Sequence, residues 1–275
     1  MLKESQSKKI KKKKSLTLFL AFLFLSVLVV YYALYVPLPT PSHPIKFYST
    51  HSRDDLKLTT IKALKKAKRS ISLHTYSLTD PSILTLLKQQ AERGLTVDLF
   101  YHKKATPKIH PLESENLHFH PSKTRGLKHE KIFTVDEDLV FLGTANLTPS
   151  SLMMHENFIL GVYSKELVAS VKNRISTKHY FNQTNQTLDL NFLPDSKSFA
   201  FNKLLKTLDE TQNKIDISLF TLTHPLIVET LIKLHNRGVA VSVHLDGYTA
   251  RGASLKALKS LQAANIDVKV SRRPQ

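Results

Sequence analysis

His129 and Lys131 stand two residues apart at the start of the β-prone run Lys131 to Val135, so their side chains should leave one face of a strand. Asp136-Glu137-Asp138 reads as a turn and Leu139 to Leu142 as the return strand. A turn centred near Glu137 sets residues 143–146 opposite residues 129–131. It brings Gly143-Thr144-Ala145-Asn146 beside the pair. An imidazole, an ammonium and a carboxamide then meet near one backbone turn. That set suits a phosphoryl group: Lys131 neutralises it, Asn146 donates to an oxygen, and His129 attacks or protonates. Asp136 lies five strand residues from Lys131, roughly 16 Å away. It is expected to serve the turn and not the reaction centre.

The elements that must position this hairpin can be read from an internal repeat. Ile71 to Tyr101 matches Ile215 to Leu245 at an offset of 144 residues without gaps. Ile71/Ile215, Leu78/Leu222, Thr79/Thr223, Pro81/Pro225, Arg93/Arg237, Gly94/Gly238 and Val97/Val241 are among the identical pairs. Each copy reads as a Lys- and Leu-rich helix, a β-run, a helix opening at Pro81 or Pro225, and a second β-run. The Arg-Gly after that helix suits a left-handed cap. Alternating β and α elements predict helices on a largely parallel sheet. Two copies predict two similar α/β lobes with pseudo-twofold symmetry. The polar stretches Asn182 to Thr187 and Pro194 to Ser198 are expected to join them.

His129-x-Lys131-x4-Asp136 followed by Gly143-Thr144-x-Asn146 resembles the HxKxxxxD and G-S/T-x-N signature of the phospholipase D superfamily. Gly-Thr in place of the commoner Gly-Ser keeps the hydroxyl. The resemblance implies duplicated α/β/α lobes, each with a mostly parallel mixed sheet, and covers the chain beyond residue 44. It implies a histidine that attacks phosphorus to form a phosphohistidine, and a second histidine, from the other lobe, that protonates the leaving alcohol. His129 matches one of these. Lys131 and Asn146 match phosphate ligands, and Thr144 adds a hydroxyl. Glu156, ten residues past Asn146, is the best match to the carboxylate that orients the nucleophile. The resemblance implies no metal or other cofactor.

The second copy departs from this pattern. Its strand Ile266 to Val270 corresponds to Leu117 to His120, and no second H-x-K-x4-D follows by Gln275. The second lobe is therefore expected to be incomplete. The site would be impaired, or completed by a homodimer in which two His129 residues meet, or by a second chain.

The N-terminus sets the expected location. Lys8 to Lys14 runs into Leu16 to Val36, a stretch with no charge. As a helix it would span about 30 Å, the thickness of a bilayer core. The lysines would stay cytoplasmic and place the globular region on the extracytoplasmic side. Four prolines between Pro37 and Pro44 predict a stiff spacer that lifts the next domain off the surface. The expected organisation is a basic tail (1–15), a single-pass anchor (16–36), the spacer (37–44), lobe 1 (45–181), a linker (182–198) and a truncated lobe 2 (199–275).

The formal charge is +18, of which the first fourteen residues, with seven Lys and one Glu, carry +6. The body is itself basic and suits an anionic partner, whether lipid head group, nucleic acid or other phosphodiester. Zero Cys excludes disulfides, thiolate metal sites and thiol catalysis. The expected function is a membrane-anchored phosphodiesterase that hydrolyses or transfers phosphodiesters, with phospholipid the favoured substrate. The alternatives are an endonuclease-type homodimer and a catalytically inactive membrane-tethered binding module.

Overall fold

The computed structural model describes residues 2–33, 35–106, 114–122, 129–194 and 198–271, with the side chains of 2–15 and 32–33 left out of the description. The lysine cluster at 8–14, part of the expected linker and residues 272–275 thus lie wholly or in part outside the described features. Two compact units emerge, residues 1–190 and 191–275.

Unit 1 opens with helix α1 (Leu2–Ala33). Among the described residues no helix is long and apolar enough to cross a membrane. The apolar side chains from Leu16 to Tyr31 are nearly all exposed. The expected span at 16–36 is corrected at its far end, because Tyr35 and Val36 lie outside the helix and Val36 packs on the lobe. The expected free-standing spacer is corrected too. Val36 and Leu38 pack against the core of the unit, Pro39 and Pro44 are buried, and the Tyr48 hydroxyl donates to the Pro37 carbonyl at 2.5 Å. Residues 35–44 form a strap held on the lobe.

The rest of unit 1 runs β1 (Ile45–Ser49), α2 (Leu56–Lys65), β2 (Ser70–Thr75), α3 (Pro81–Glu92), β3 (Thr96–Tyr101), β4 (Leu117–Pro121), β5 (Lys131–Val135), β6 (Leu139–Gly143), α4 (Pro149–Met153), β7 (Phe158–Tyr163), α5 (Lys165–Asn173), β8 (Thr177–Phe181) and β9 (Gln186–Leu190). Seven strands form one sheet in the order β1-β7-β6-β5-β2-β3-β4. Only β2-β3 and β3-β4 are parallel. The β1-β7, β7-β6, β6-β5 and β5-β2 pairs are antiparallel. The sheet is therefore mixed, as expected, but not mostly parallel. Only the β5-β6 pairing is local, through the short turn 136–138, which joins neighbours antiparallel; β6 and β7 are joined through α4 and still pair antiparallel.

The core face of the sheet carries Ile71, Leu73, Val97, Leu99, Phe133, Val135 and Phe141, all buried in one cluster with Leu56 and Leu64 of α2 and Ile83 and Leu87 of α3. Helix starts are fixed by side-chain caps. Asp55 accepts from Leu58 N at 2.8 Å. Asp80 accepts from Ser82 N and Ile83 N, with Pro81 at the first helical position, where its missing N–H costs nothing. The polar stretch 182–187 is not a plain linker. Asn185 takes a positive φ of 51°, which Asn tolerates, and closes a two-stranded hairpin between β8 and β9.

Unit 2 holds α6 (Phe199–Asp209), β10 (Lys214–Leu219), α7 (Pro225–Asn236), β11 (Ala240–Leu245), α8 (Leu255–Ala263) and β12 (Asp267–Val270). Its sheet, β10-β11-β12, is wholly parallel, like β2-β3-β4. Gly94 and Gly238 follow the equivalent helices at φ +87° and +90°, a region closed to most side chains. Among the described residues β10 is bonded on one side only, whereas β2 is bonded to both β3 and β5.

Candidate active site

The β5-β6 hairpin pairs Val135 with Leu139 and Ile132 with Leu142, which sets Lys131 across from Gly143 as the turn at Asp136 requires. Gly143 must be glycine here. A Cβ would stand 2.1 Å from the Phe158 carbonyl oxygen, because β7 approaches β6 with Gly143 opposite Ile159. Asp136 sits at the far end of β5, with φ +55°. Its carboxylate accepts from the backbone N–H groups of Lys68, Arg69 and Ser70 at 2.8–3.1 Å. It ties the hairpin turn to the entry of β2 and stands apart from the Lys131 end.

His129 lies just before β5 and not within it. The Lys131 ammonium donates back to the His129 carbonyl at 3.0 Å. Tyr76 joins the two side chains. Its ring centroid is 5.1 Å from that of His129 and 5.7 Å from Lys131 Nζ, within reach of a cation–π contact. His102 stacks on Tyr76 at 5.3 Å. Burial lowers the Lys131 pKa to about 8. Among the described residues no carboxylate pairs with it. Burial, and next the Lys131 ammonium, also lower the His129 pKa below 6.5. At neutral pH the imidazole is mainly the free base and the amine mainly the cation, the states a nucleophile and an anion ligand require.

Lys131, Gly143, Ala145 and Thr75 line one cleft of about 290 Å³ including its open mouth, floored by Leu73, Phe133, Phe141, Leu147 and Ile159. The Asn146 N–H donates to Ser151 Oγ at 2.9 Å. Its side-chain oxygen is buried with no hydrogen-bond partner among the described residues. A carboxamide in that state, turned either way about its last bond, lacks a polar partner that a buried group normally has. The Thr144 hydroxyl is differently placed. It donates to Asn157 Oδ1 at 2.8 Å and accepts from Phe158 N at 3.1 Å, so it knits the loop. Glu156 is exposed. Among the described residues no hydrogen bond joins Thr144, Asn146 or Glu156 to His129 or Lys131. The hairpin brings His129 and Lys131 together, and Asn146 stands on the loop beyond Gly143 with its side-chain oxygen unsatisfied among the described residues.

Three residues outside the motif hold this arrangement. Asn157 donates to the Ser151 carbonyl at 2.8 Å and to Ser151 Oγ at 3.1 Å, which locks α4 to the loop. Glu130, between the two site residues, turns to the other face of the sheet. There it takes a bidentate pair from Arg174 at 2.6 and 2.9 Å and stands 3.5 Å from His74 Nδ1. Arg174 caps α5 in the left-handed region, φ +55°, where Gly or Asn would be the ordinary choice.

The domain described as cardiolipin synthase, PLD-like domain, matches residues 60–178 and 204–275, well over half of the chain. The chain belongs to the phospholipase D-like family. Both lobes of the repeat fall inside the match, and the His129–Lys131 hairpin lies in its first part. Among curated relatives, cardiolipin synthase 1 of Bacillus anthracis is 31% identical over 133 residues, 44% of this chain and 26% of the relative. A phospholipase D of Rickettsia conorii is 25% identical over 111 residues, 39% of this chain and 56% of the relative. The match thus spans about a quarter of the first relative's length. A phosphatidylserine synthase from Haemophilus influenzae shares the fold at a TM-score of 0.58 and 13% identity, over 86% of this chain and 74% of that one. A polyphosphate kinase from Porphyromonas gingivalis does so at 0.52 and 15% identity, over 74% of this chain and 38% of that one. Proteins so far apart in sequence share this α/β fold.

Proposed function

We propose that this protein is a membrane-anchored phospholipase D-like phosphodiesterase that hydrolyses or transfers a phospholipid phosphodiester through a phosphohistidine at His129. The observation that carries the reading is Lys131: a half-buried cation with no carboxylate partner among the described residues, its amine pKa down at about 8, beside an imidazole held as the free base. Such a cation lacks an anion, and a phosphodiester supplies one.

In the proposed reaction the unprotonated imidazole nitrogen attacks phosphorus. A P–N bond forms as the P–O bond to the leaving alcohol breaks. Lys131 offsets the charge on the non-bridging oxygens, and Asn146 donates its NH₂ to one of them. The leaving oxygen takes a proton from a second half-site. Water or another alcohol then attacks phosphorus, the P–N bond breaks, and His129 is released. Glu156 is the candidate orienting carboxylate, and Thr144 supports the loop while its hydroxyl stands near the phosphate ligands. The phospholipid assignment draws on the names of the relatives and on the apolar helical stretch from residue 16 to Ala33, which we read as a single-pass anchor with the globular region extracytoplasmic. The two units are read as duplicated lobes, and a second half-site, from another copy of the chain or from a second chain, would supply the leaving-group proton. The basic body also suits an endonuclease.

The test uses the full chain in phospholipid vesicles. Head-group release together with an acid-labile phosphate on the protein, both absent in His129→Ala, is the expected result. Vesicles left intact while plasmid DNA is nicked by the wild type alone would move the assignment to the endonuclease. Neither substrate cleaved, and no phosphoprotein formed, would overturn the catalytic reading.

A further inference from the structure

We propose that the tip 153–158, with the adjoining end of β1, is a membrane-contact surface, and that the candidate site opens toward the bilayer holding α1. The inference rests on the lipid reading above and adds an orientation to it. Of the three Met in the chain, two sit side by side at this tip, Met153 56% and Met154 80% exposed. Phe158 (38% exposed) stacks on Phe47 (60% exposed) at 5.4 Å between centroids. Large apolar side chains grouped in this way mark an interaction surface, and unbranched Met with aromatic rings suits the boundary of head groups and acyl chains.

The strap says which surface. Its Pro37 carbonyl meets the Tyr48 hydroxyl. Pro39 lies over Gly161, where a Cβ would stand 2.9 Å from its ring, and Gly161 is paired with Lys46. Its Pro44 carbonyl accepts from Tyr163 N at 2.7 Å. The strap therefore runs antiparallel to β1, and its α1 side lies by the Tyr48–Ser49 end. That end is the one bound to the tip. Thr50 N donates to the Asn157 carbonyl at 3.1 Å, and Thr50 Oγ1 donates to the His155 carbonyl at 3.0 Å. The chain passes from α1 into the lobe beside the exposed Met and Phe residues. Exposed Arg53 flanks them and adds a cation for anionic head groups. Asn157 ties the tip to Thr144, so a tip seated in the interface brings the 143–146 loop to the level of the lipid phosphates.

The chain has no Trp, so one substitution gives a single fluorophore. Full-length Met154→Trp is reconstituted in phosphatidylcholine–phosphatidylglycerol vesicles, with and without brominated acyl chains. Glu137→Trp, at the opposite end of β5 from Lys131, is the control. The expected result is blue-shifted emission from Met154→Trp, quenched at least twofold more than the control by brominated lipid. Equal quenching of the two, or failure of the full chain to sediment with vesicles, overturns the proposal. The double variant Met153→Ser/Met154→Ser should cleave vesicle lipid at least tenfold more slowly than wild type and a short soluble phosphodiester equally fast. If wild type cleaves neither, the catalytic reading fails, and the quenching still decides the orientation.

Discussion

At the residue scale the site rests on two depressed basic groups with opposite requirements. In the proposed reaction His129 attacks only as the free base, so the rate should rise with pH through its pKa, which burial and the Lys131 ammonium lower from 6.5. Lys131 would neutralise phosphate only as the cation, so the rate should fall as pH passes about 8. A pH profile of kcat/KM on a soluble diester should be a bell with limbs on these two sides. Lys131→Arg keeps its proton throughout and should lose the alkaline limb, even at a reduced plateau. An alkaline limb that survives in Lys131→Arg would assign it to another group. Glu130 supplies a second residue-scale prediction. It fixes the backbone between His129 and Lys131 through Arg174, and His129 itself lies outside the strand. Releasing that pair should misplace the imidazole. Arg174→Ala should lower kcat by about 10–100-fold with little change in KM, and Arg174→Lys should restore only part, since an ammonium cannot bond both carboxylate oxygens in one plane. A change in KM alone would mean that the pair acts on binding.

At the element scale the β5-β6 hairpin decides whether any of this chemistry is assembled. Gly143→Ala drives a Cβ into the Phe158 carbonyl at 2.1 Å, and backbone cannot give way as a side chain can. The expected loss is about 1–3 kcal/mol, read as a lower urea midpoint with unchanged m-value. Asp136 tests the other end. Asp136→Gly relieves the positive φ but abandons the N–H groups of Lys68, Arg69 and Ser70, so it should still destabilise by about 1–3 kcal/mol. A neutral result would show that the φ, and not the carboxylate, decides the cost there. The hairpin was legible in the sequence because its determinants are local: a turn of three acidic residues and a register that alternation then imposes. The repeat was legible for the same reason, since Pro81 and Pro225 open helices and Gly94 and Gly238 close them. The sheet's antiparallel half was not, because it depends on which neighbour β5 and β7 choose. Glu130–Arg174 spans 44 residues, and Tyr76 reaches His129 across strands, so neither leaves a signal in spacing. The proline strap misled for a physical reason. Extended chain without N–H donors suits a free spacer, yet its carbonyls and rings suit packing on a lobe equally well.

At the scale of the whole molecule the question is how many copies build one site. In the proposed reaction the leaving oxygen needs a proton donor besides the attacking His129, and a second imidazole can serve. If that donor is the His129 of another copy, an inert copy spoils the site of an active one. Chains of wild type and His129→Ala, mixed before reconstitution at a constant total, should then show activity falling as the square of the wild-type fraction: half wild type leaves about a quarter of the rate, since only pairs with two imidazoles turn over. A site complete within one chain predicts a linear fall, with half the rate left at half wild type. A donor supplied by a different protein also predicts linearity, but only when that protein is added, so the same series run with and without a membrane extract separates the two linear cases. The quadratic curve is the expected one, because an imidazole that is the free base in one copy and the acid in the other answers both needs of the reaction with a single residue type.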